Sequence, residues 1–337
     1  GGSDKGRQGE GPDIGGISID TRTLQPGDLV IALSGDPCPR FHTSIENPRD
    51  GHEFVPMAVE GGAAAIMASR AVDTDIPVLR VPDTLEGLWD LGRAGRRRMQ
   101  GKVAAITGSS GKTTARHWLQ SAMACQGRTH GSRGSLNNHW GVPLSLARMP
   151  ADSEFGIFEI GMNHPGEIAP LAELAAPDVA VVLNVLPAHL GHFDSLEGIR
   201  REKLSISAGL KKDGVLIVPD DLPCDEVPCR KRTFGFGAGA DVRGQAQYGA
   251  EKIEVRVSIE GRDYEFTLAG NGEHRVLTAL AVIAAGDALG GSVEGVCTHL
   301  GEITTPRGRG EMVTVGNITM IDDRDNAKPV SIRCALE

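Results

Sequence analysis

One segment constrains this chain more than any other: Val103-Ala-Ala-Ile-Thr-Gly108-Ser-Ser-Gly111-Lys112-Thr113-Thr114. An apolar run of strand character enters a short glycine loop, and a helical pattern follows. That order makes an anion cradle. Glycines let backbone N–H groups curl around phosphate oxygens, and the N-terminus of the next helix adds positive potential. Gly108, Ser109, Ser110, Gly111, Lys112, Thr113 and Thr114 are therefore the expected contacts to a polyphosphate such as ATP. Lys112 suits the β- and γ-phosphates, and the Thr113 hydroxyl suits Mg²⁺. The generic loop has a wider glycine spacing, whereas Gly108 and Gly111 enclose only two residues. A glycine turn with a coincidental Lys-Thr is the competing explanation, and the flanking strand and helix weigh against it.

The rest of the chain bounds the partners. Its 337 residues exceed one typical domain. A net charge of −9 argues against a general nucleic-acid binder. The basic run Arg93…Arg96-Arg97-Arg98 reads as a solvated helix face. No apolar run is long enough to span a membrane, and no signal peptide is visible. The cysteines at 38, 125, 224, 229, 297 and 334 are scattered, so they read as free thiols in a reducing cytoplasm. A monomer is the expected state.

Residues 1–12 read as a disordered tail or tag, outside the fold. From 13 to 100 short strands at Ile17–Arg22, Leu29–Leu33, Ala63–Ala68 and Pro77–Val81 surround a helical run, Phe54–Glu60: a small α/β N-terminal domain. A polar, proline-rich stretch at 35–49 reads as a loop. A helix over Thr84–Gln100, capped by Thr84, leads into the second domain. From 101 to 311 strands at 103–107, 155–160, 179–184 and 215–218 alternate with helices at 112–126, 168–175 and about 195–210. Nearly continuous apolar strands of this kind imply a central parallel-sheet ATPase domain covered on both faces. Lys252–Ile259 and Tyr264–Ala269 alternate as an edge hairpin, and Ala279–Leu289 is helical. Residues 312–337, with a strand at Ile318–Asp322 and a helix from Pro329, are too few to bury a core of their own.

Glu159 and His189 follow apolar strands, which brings them to the same carboxyl edge of a parallel sheet as the glycine loop. Glu159 would give oxygen and neutral His189 nitrogen to Mg²⁺. Taken singly, a helix-capping glutamate and a surface histidine would explain them. Lys203, in Arg200-Arg-Glu-Lys-Leu-Ser-Ile, reads on its own as a surface helix lysine.

Taken together the motifs resemble the Mur ligase family over roughly residues 13–337. Thr107-Gly-Ser-Ser-Gly-Lys-Thr-Thr114 is similar to that family's ATP loop, shortened glycine spacing included. Asp20-Thr-Arg22, Pro26-Gly-Asp28 and Asp50-Gly-His52 resemble its UDP-binding first domain. Further agreement comes from Leu136-Asn-Asn138 with Gly141-Val-Pro143, Glu159-Ile-Gly-Met-Asn163 with Gly166-Glu-Ile168, and Asn184…Ala188-His189-Leu190. The match is nearest the branch that adds D-alanyl-D-alanine to a UDP-N-acetylmuramoyl tripeptide in peptidoglycan precursor synthesis.

The resemblance implies an acyl phosphate route. ATP phosphorylates the terminal carboxylate of the tripeptide, and the dipeptide amine then displaces phosphate. By the same resemblance, Asp20, Thr21, Arg22, Asn137, Asn138 and Asn163 would contact substrate, and Lys203 would be carbamylated and bind metal. Thr113, Glu159 and His189 would hold Mg²⁺, and Arg309 would contact nucleotide phosphate. His274 would lie in the adenine-contacting stretch. That stretch departs from the family pattern, reading His274-Arg275-Val-Leu-Thr278 where asparagines are usual. Asp323-Arg-Asp-Asn326-Ala-Lys328-Pro329 departs as well, and the family's C-terminal Rossmann-like domain is expected to be largely missing. Two alternatives stay open: a non-catalytic module that binds nucleotide or UDP-precursor, and a Mur-like ligase with another amine substrate.

Overall fold

The computed structural model describes residues 11–34, 49–187, 192–193, 195–249, 252–270, 272–303, 311–315 and 318–322. The chain divides into two compact units between Ala94 and Gly95. In the first, strands β1 (Gly16–Ser18) and β2 (Asp28–Ile31), helix α1 (Val55–Glu60), and strands β3 (Ala65–Ala68) and β4 (Val78–Arg80) build a four-stranded parallel sheet in the order β1-β2-β3-β4. β2 and β3 are buried throughout and, after Asp28 at the start of β2, wholly apolar, as suits central parallel strands. Val30, Ile66 and Ala68 meet Val55 and Ala58 in the core. The strand expected at Ile17–Arg22 stops at Ser18, because the Asp20 carboxylate accepts the Arg22 backbone N–H at 2.9 Å and turns the chain.

Helix α2 (Thr84–Arg98) starts where expected, but Thr84 does not cap it. The Asp83 carboxylate accepts the amides of Leu85 at 2.7 Å and Glu86 at 3.0 Å, while Thr84 is buried. Gly87 lets the helix pack closely on Met67, whose sulfur would lie 2.7 Å from an added Cβ. The expected solvated basic face at the end of α2 is only partly so. Arg96 is buried and donates to the carbonyls of Ala175, Ala176 and Met99. Arg98 donates to those of Ala147 and Met149. Both guanidinium groups serve the orphaned carbonyls at helix C-termini, where positive charge is favourable.

The second unit carries β5 (Lys102–Thr107), α3 (Lys112–Ala124), β6 (Thr129–Gly131), α4 (Gly141–Ala147), β7 (Phe155–Glu159), α5 (Ile168–Ala175), β8 (Val179–Val182) and α6 (Leu196–Leu204). A 3-10 segment, Ser205–Gly209, extends α6. Then come β9 (Val215–Pro219), β10 (Arg230–Gly235), β11 (Val242–Tyr248), β12 (Lys252–Ile259), β13 (Arg262–Ala269), α7 (Glu273–Ala288) and α8 (Val293–Glu302). The nine-stranded sheet runs β13-β12-β11-β10-β9-β8-β5-β7-β6. It is parallel from β6 to β11, and β12 and β13 add antiparallel at the edge. β5, bearing the glycine loop, lies between β7 and β8, so the ends of all three meet at one rim.

Trp118, Leu119 and Met123 of α3 pack with Leu280 and Ile283 of α7 and with Ile106, Val181 and Ile217 of the sheet. α7 begins six residues before the expected Ala279. The edge hairpin turns through Glu260-Gly261 alone, with φ of 51° and 77°, the left-handed pair that matches strand twist. β6, α4, β10, β11 and α8 go beyond what the pattern suggested. β14 (Glu311–Val315) pairs antiparallel with β15 (Ile318–Asp322), the strand expected there. The helix expected from Pro329 and nearly all of the 35–49 loop lie outside the described residues. Cys125, Cys224, Cys229 and Cys297 are free thiols; Cys38 and Cys334 lie outside.

Candidate active site

The glycine loop sits at the carboxyl end of β5 and opens α3. Gly111 has φ of 78° and precedes the helix, so the chain turns into α3 through a left-handed residue. Gly108 is held close to its neighbours, since a Cβ there would lie 3.0 Å from Leu183. The segment after β8 clamps the loop. Asn184 accepts the Ser110 amide at 3.0 Å through Oδ1 and donates to the Ser110 carbonyl at 3.2 Å. Ser109 donates to the Leu186 carbonyl and accepts its amide, both at 2.9 Å. Lys112 folds back, its Nζ donating to the Gly108 carbonyl at 2.9 Å. Thr114 follows in the first turn of α3. The loop is thus a preformed turn with its lysine folded over it.

Glu159 ends β7 one strand away and is buried. Its Oε2 accepts the Thr113 hydroxyl at 3.0 Å, and its Oε1 accepts Nδ2 of Asn137 at 2.6 Å. A buried carboxylate needs such donors. Gly161 permits the arrangement, because a Cβ there would lie 2.8 Å from Asn137 Oδ1. Three residues named from the sequence, Thr113, Asn137 and Glu159, are therefore joined at the loop's edge. Asn138 is used differently: its Oδ1 accepts the amides of Trp140 and Gly141 and starts α4. Asn163 is exposed, and its backbone amide donates to Glu167 at 2.7 Å.

Lys203 corrects its sequence reading as a surface lysine. It is 2% exposed, on the inward face of α6 with Ile199 and Leu204. Its polar neighbours Arg200 and Arg201 concealed that face.

The N-terminal end of α7 flanks the loop, with the Thr278 hydroxyl 3.7 Å from where a Gly111 Cβ would stand. That hydroxyl donates to the His274 carbonyl at 2.7 Å. Arg275 is buried with its guanidinium 5.3 Å from the Trp118 ring centroid, a cation–π placement. His274 itself is exposed at that end, beside buried Arg275.

In the first unit Asp20 and Arg22 form an exposed ion pair at 2.7 Å, beside half-buried Thr21. Asp50 and His52 are better organised. The Ser69 amide donates to His52 Nε2 at 3.0 Å, so that nitrogen is bare and Nδ1 carries the proton, donated to Asp50 at 2.6 Å. His189 and Arg309 lie outside the described residues.

A strand, a short glycine loop and a helix on a parallel sheet, with Thr113 bonded to a buried strand-end carboxylate, define a P-loop type nucleotide-phosphate domain. Residues 106–286 match the Mur ligase middle domain. A relative from Bacillus subtilis (strain 168), named UDP-N-acetylmuramoyl-tripeptide–D-alanyl-D-alanine ligase, is 36% identical over 96% of this chain and 70% of its own length. Two solved structures share the fold. MurF from Acinetobacter baumannii superposes with TM-score 0.82 at 33% identity, over 94% of this chain and 69% of that one. MurF from Thermotoga maritima in complex with ADP gives 0.81 at 27% identity, over 95% and 73%. This chain belongs to the Mur ligase family. Among the described residues no helix is long and apolar enough to cross a membrane.

Proposed function

We propose that this chain is an ATP-dependent amide ligase that joins D-alanyl-D-alanine to a UDP-N-acetylmuramoyl tripeptide in cytoplasmic peptidoglycan precursor synthesis, working as a monomer. The observation that carries this reading is the Thr113–Glu159–Asn137 chain at the edge of the glycine loop. It sets a buried carboxylate beside the residues that would hold the ATP phosphates, in a family whose relatives are named for this ligation.

A carboxylate is a poor acyl donor until its oxygen becomes a good leaving group. A tripeptide carboxylate oxygen bonds to the γ-phosphorus, and the bond to the β-bridging oxygen breaks to release ADP. The dipeptide amine then bonds to the acyl carbon, phosphate leaves, and the amine loses a proton. Two anions must approach in the first step, so donors fixed in advance are worth most. The amides of Gly111–Thr114, at the N-terminus of α3, would surround the phosphates, with Lys112 moving from the Gly108 carbonyl onto them. Asn137 orients Glu159. Asn138 and Asn163 would border the muramoyl peptide, Asp20, Thr21 and Arg22 the UDP end, and His274 and Arg309 the nucleotide.

The donor set fits Mg²⁺, which takes hard oxygen ligands and commonly needs only one or two protein carboxylates beside phosphate oxygens. Thr113 and Glu159, with His189 and carbamylated Lys203, would hold the ion, which when bound screens the approaching anions. Lys203 is 2% exposed, so a carbamate formed on it would be shielded from bulk water.

Hydroxylamine trapping tests the reading. With ATP, Mg²⁺ and tripeptide precursor but no dipeptide, the acyl phosphate should be captured as the peptide hydroxamate. Precursor binding with neither hydroxamate nor ADP formed would favour a non-catalytic binding module instead.

A further inference from the structure

The docking of α6 on α5 bears on how Lys203 is placed, and it rests on reading Lys203 as the carbamylated lysine. α5 has no side-chain cap from its own N-cap residue, Glu167. The cap comes from another helix. Glu202 of α6 accepts the Gly166 amide at 2.8 Å and the Ile168 amide at 2.9 Å, one on each carboxylate oxygen. A carboxylate at a helix N-terminus gains from both the orphaned donors and the dipole. This one is only 9% exposed, so its two bonds are not diluted by solvent.

A second point of docking lies seven residues on. Gly209, closing the 3-10 extension of α6, is pressed against the α5 backbone, where an added Cβ would lie 2.1 Å from the Ala172 carbonyl carbon. Lys203 lies in sequence between these two points. Adjacent helix positions diverge by about 100°, so Glu202 can grip α5 while Lys203 faces the interior. The loop that Glu202 holds, residues 160–167, leaves β7 directly after Glu159. One carboxylate therefore couples the helix bearing Lys203 to the segment that follows Glu159.

We propose that Glu202 is a positioning residue for Lys203. By capping α5 from outside, it fixes the depth and rotation at which the lysine amine meets CO₂. In that step the neutral Nζ bonds to the carbon of CO₂ and releases one proton, leaving a carbamate.

The test is Glu202→Gln, which keeps size but removes the charge and one of the two acceptor oxygens. The carbamate is read by ¹³C NMR with ¹³C-bicarbonate, and turnover by phosphate release. The expected result is a weakened carbamate signal, restored by raising bicarbonate. It comes with a kcat lowered roughly ten- to hundredfold, the usual cost of losing a group that orients a metal ligand, at unchanged KM for ATP. Wild type should not respond to added bicarbonate. A variant that melts lower but keeps the wild-type carbamate signal and kcat would show Glu202 to be a structural cap only, and would overturn the assignment. Should Glu202→Gln not fold, Glu202→Asp retains the charge but draws it back, and the same carbamate loss is expected. A Lys203→Ala arm separates the two levels. Full turnover there, with no carbamate signal in wild type, would sink the reading of Lys203 and the role of Glu202 with it. An inactive Lys203→Ala beside an unperturbed Glu202→Gln would sink the role of Glu202 alone.

Discussion

Thr113 and Glu159, 46 residues apart in sequence, are joined by a hydroxyl-to-carboxylate hydrogen bond of 3.0 Å. The first opens the helix after the glycine loop and the second ends a neighbouring strand. Their meeting follows from β5 and β7 being adjacent and parallel, which brings one strand's loop beside the other's last residue.

Glu159→Gln should therefore fold normally yet turn over poorly. The amide preserves shape but removes the buried negative charge. Taking away one such preorganised electrostatic group costs roughly 10²–10³ in kcat. Steady-state phosphate release, with Mg²⁺ varied, checks this; the variant should also need more Mg²⁺.

Gly111→Ala separates backbone strain from crowding. An added Cβ would sit at ordinary contact, 3.7 Å from Leu183 and Thr278, so space is available. The cost comes from φ of 78°, a conformation about 1–2 kcal/mol unfavourable for an L-residue. Denaturant unfolding should show that loss, and nucleotide affinity should fall as the turn relaxes.

These features differ in how legible they were in the sequence. β5, β7 and β8 were plain because strands buried on both faces are apolar without interruption, and α5 was found at its true bounds. β10 was hidden because Arg230-Lys-Arg-Thr places only Phe234 and Gly235 in the buried interior. α4 was hidden by Gly141 and Pro143, which read as loop although a proline is tolerated in a first helical turn. The loop, Thr113 and Glu159 could be argued from strand ends alone. The burial of Lys203 and the outside cap from Glu202 could not, because both depend on α6 meeting α5, a contact with no local signature.

Arg96→Met should destabilise the second unit by about 3 kcal/mol, since it strips donors from the carbonyls of Ala175, Ala176 and Met99 and leaves buried acceptors unpaired. Arg97→Met, on the exposed side of the same turn, should change stability by no more than about 0.5 kcal/mol. Urea titration of both variants compares them directly.

Acid should weaken the fold before carboxylates titrate. Burial lowers the imidazoles of His130 and His139 below the ordinary 6.5. A histidine lowered in the folded state stays neutral while its unfolded counterpart takes up a proton. Its stabilisation is thus whole above about pH 6.5 and declines as pH falls from there towards the folded value. Thermal melts from pH 8 to pH 5 should show this decline. His130→Gln, whose amide can still donate to the Ser145 carbonyl that His130 Nε2 now meets at 2.8 Å, should remove part of the slope.

The most direct measurement of the central claim is phosphate release from ATP and Mg²⁺ with the UDP-muramoyl tripeptide and D-alanyl-D-alanine supplied separately and together. Sustained release that requires both, abolished by Lys112→Ala, is the expected result. Release that ignores the tripeptide, or no release when all components are present, would contradict the account.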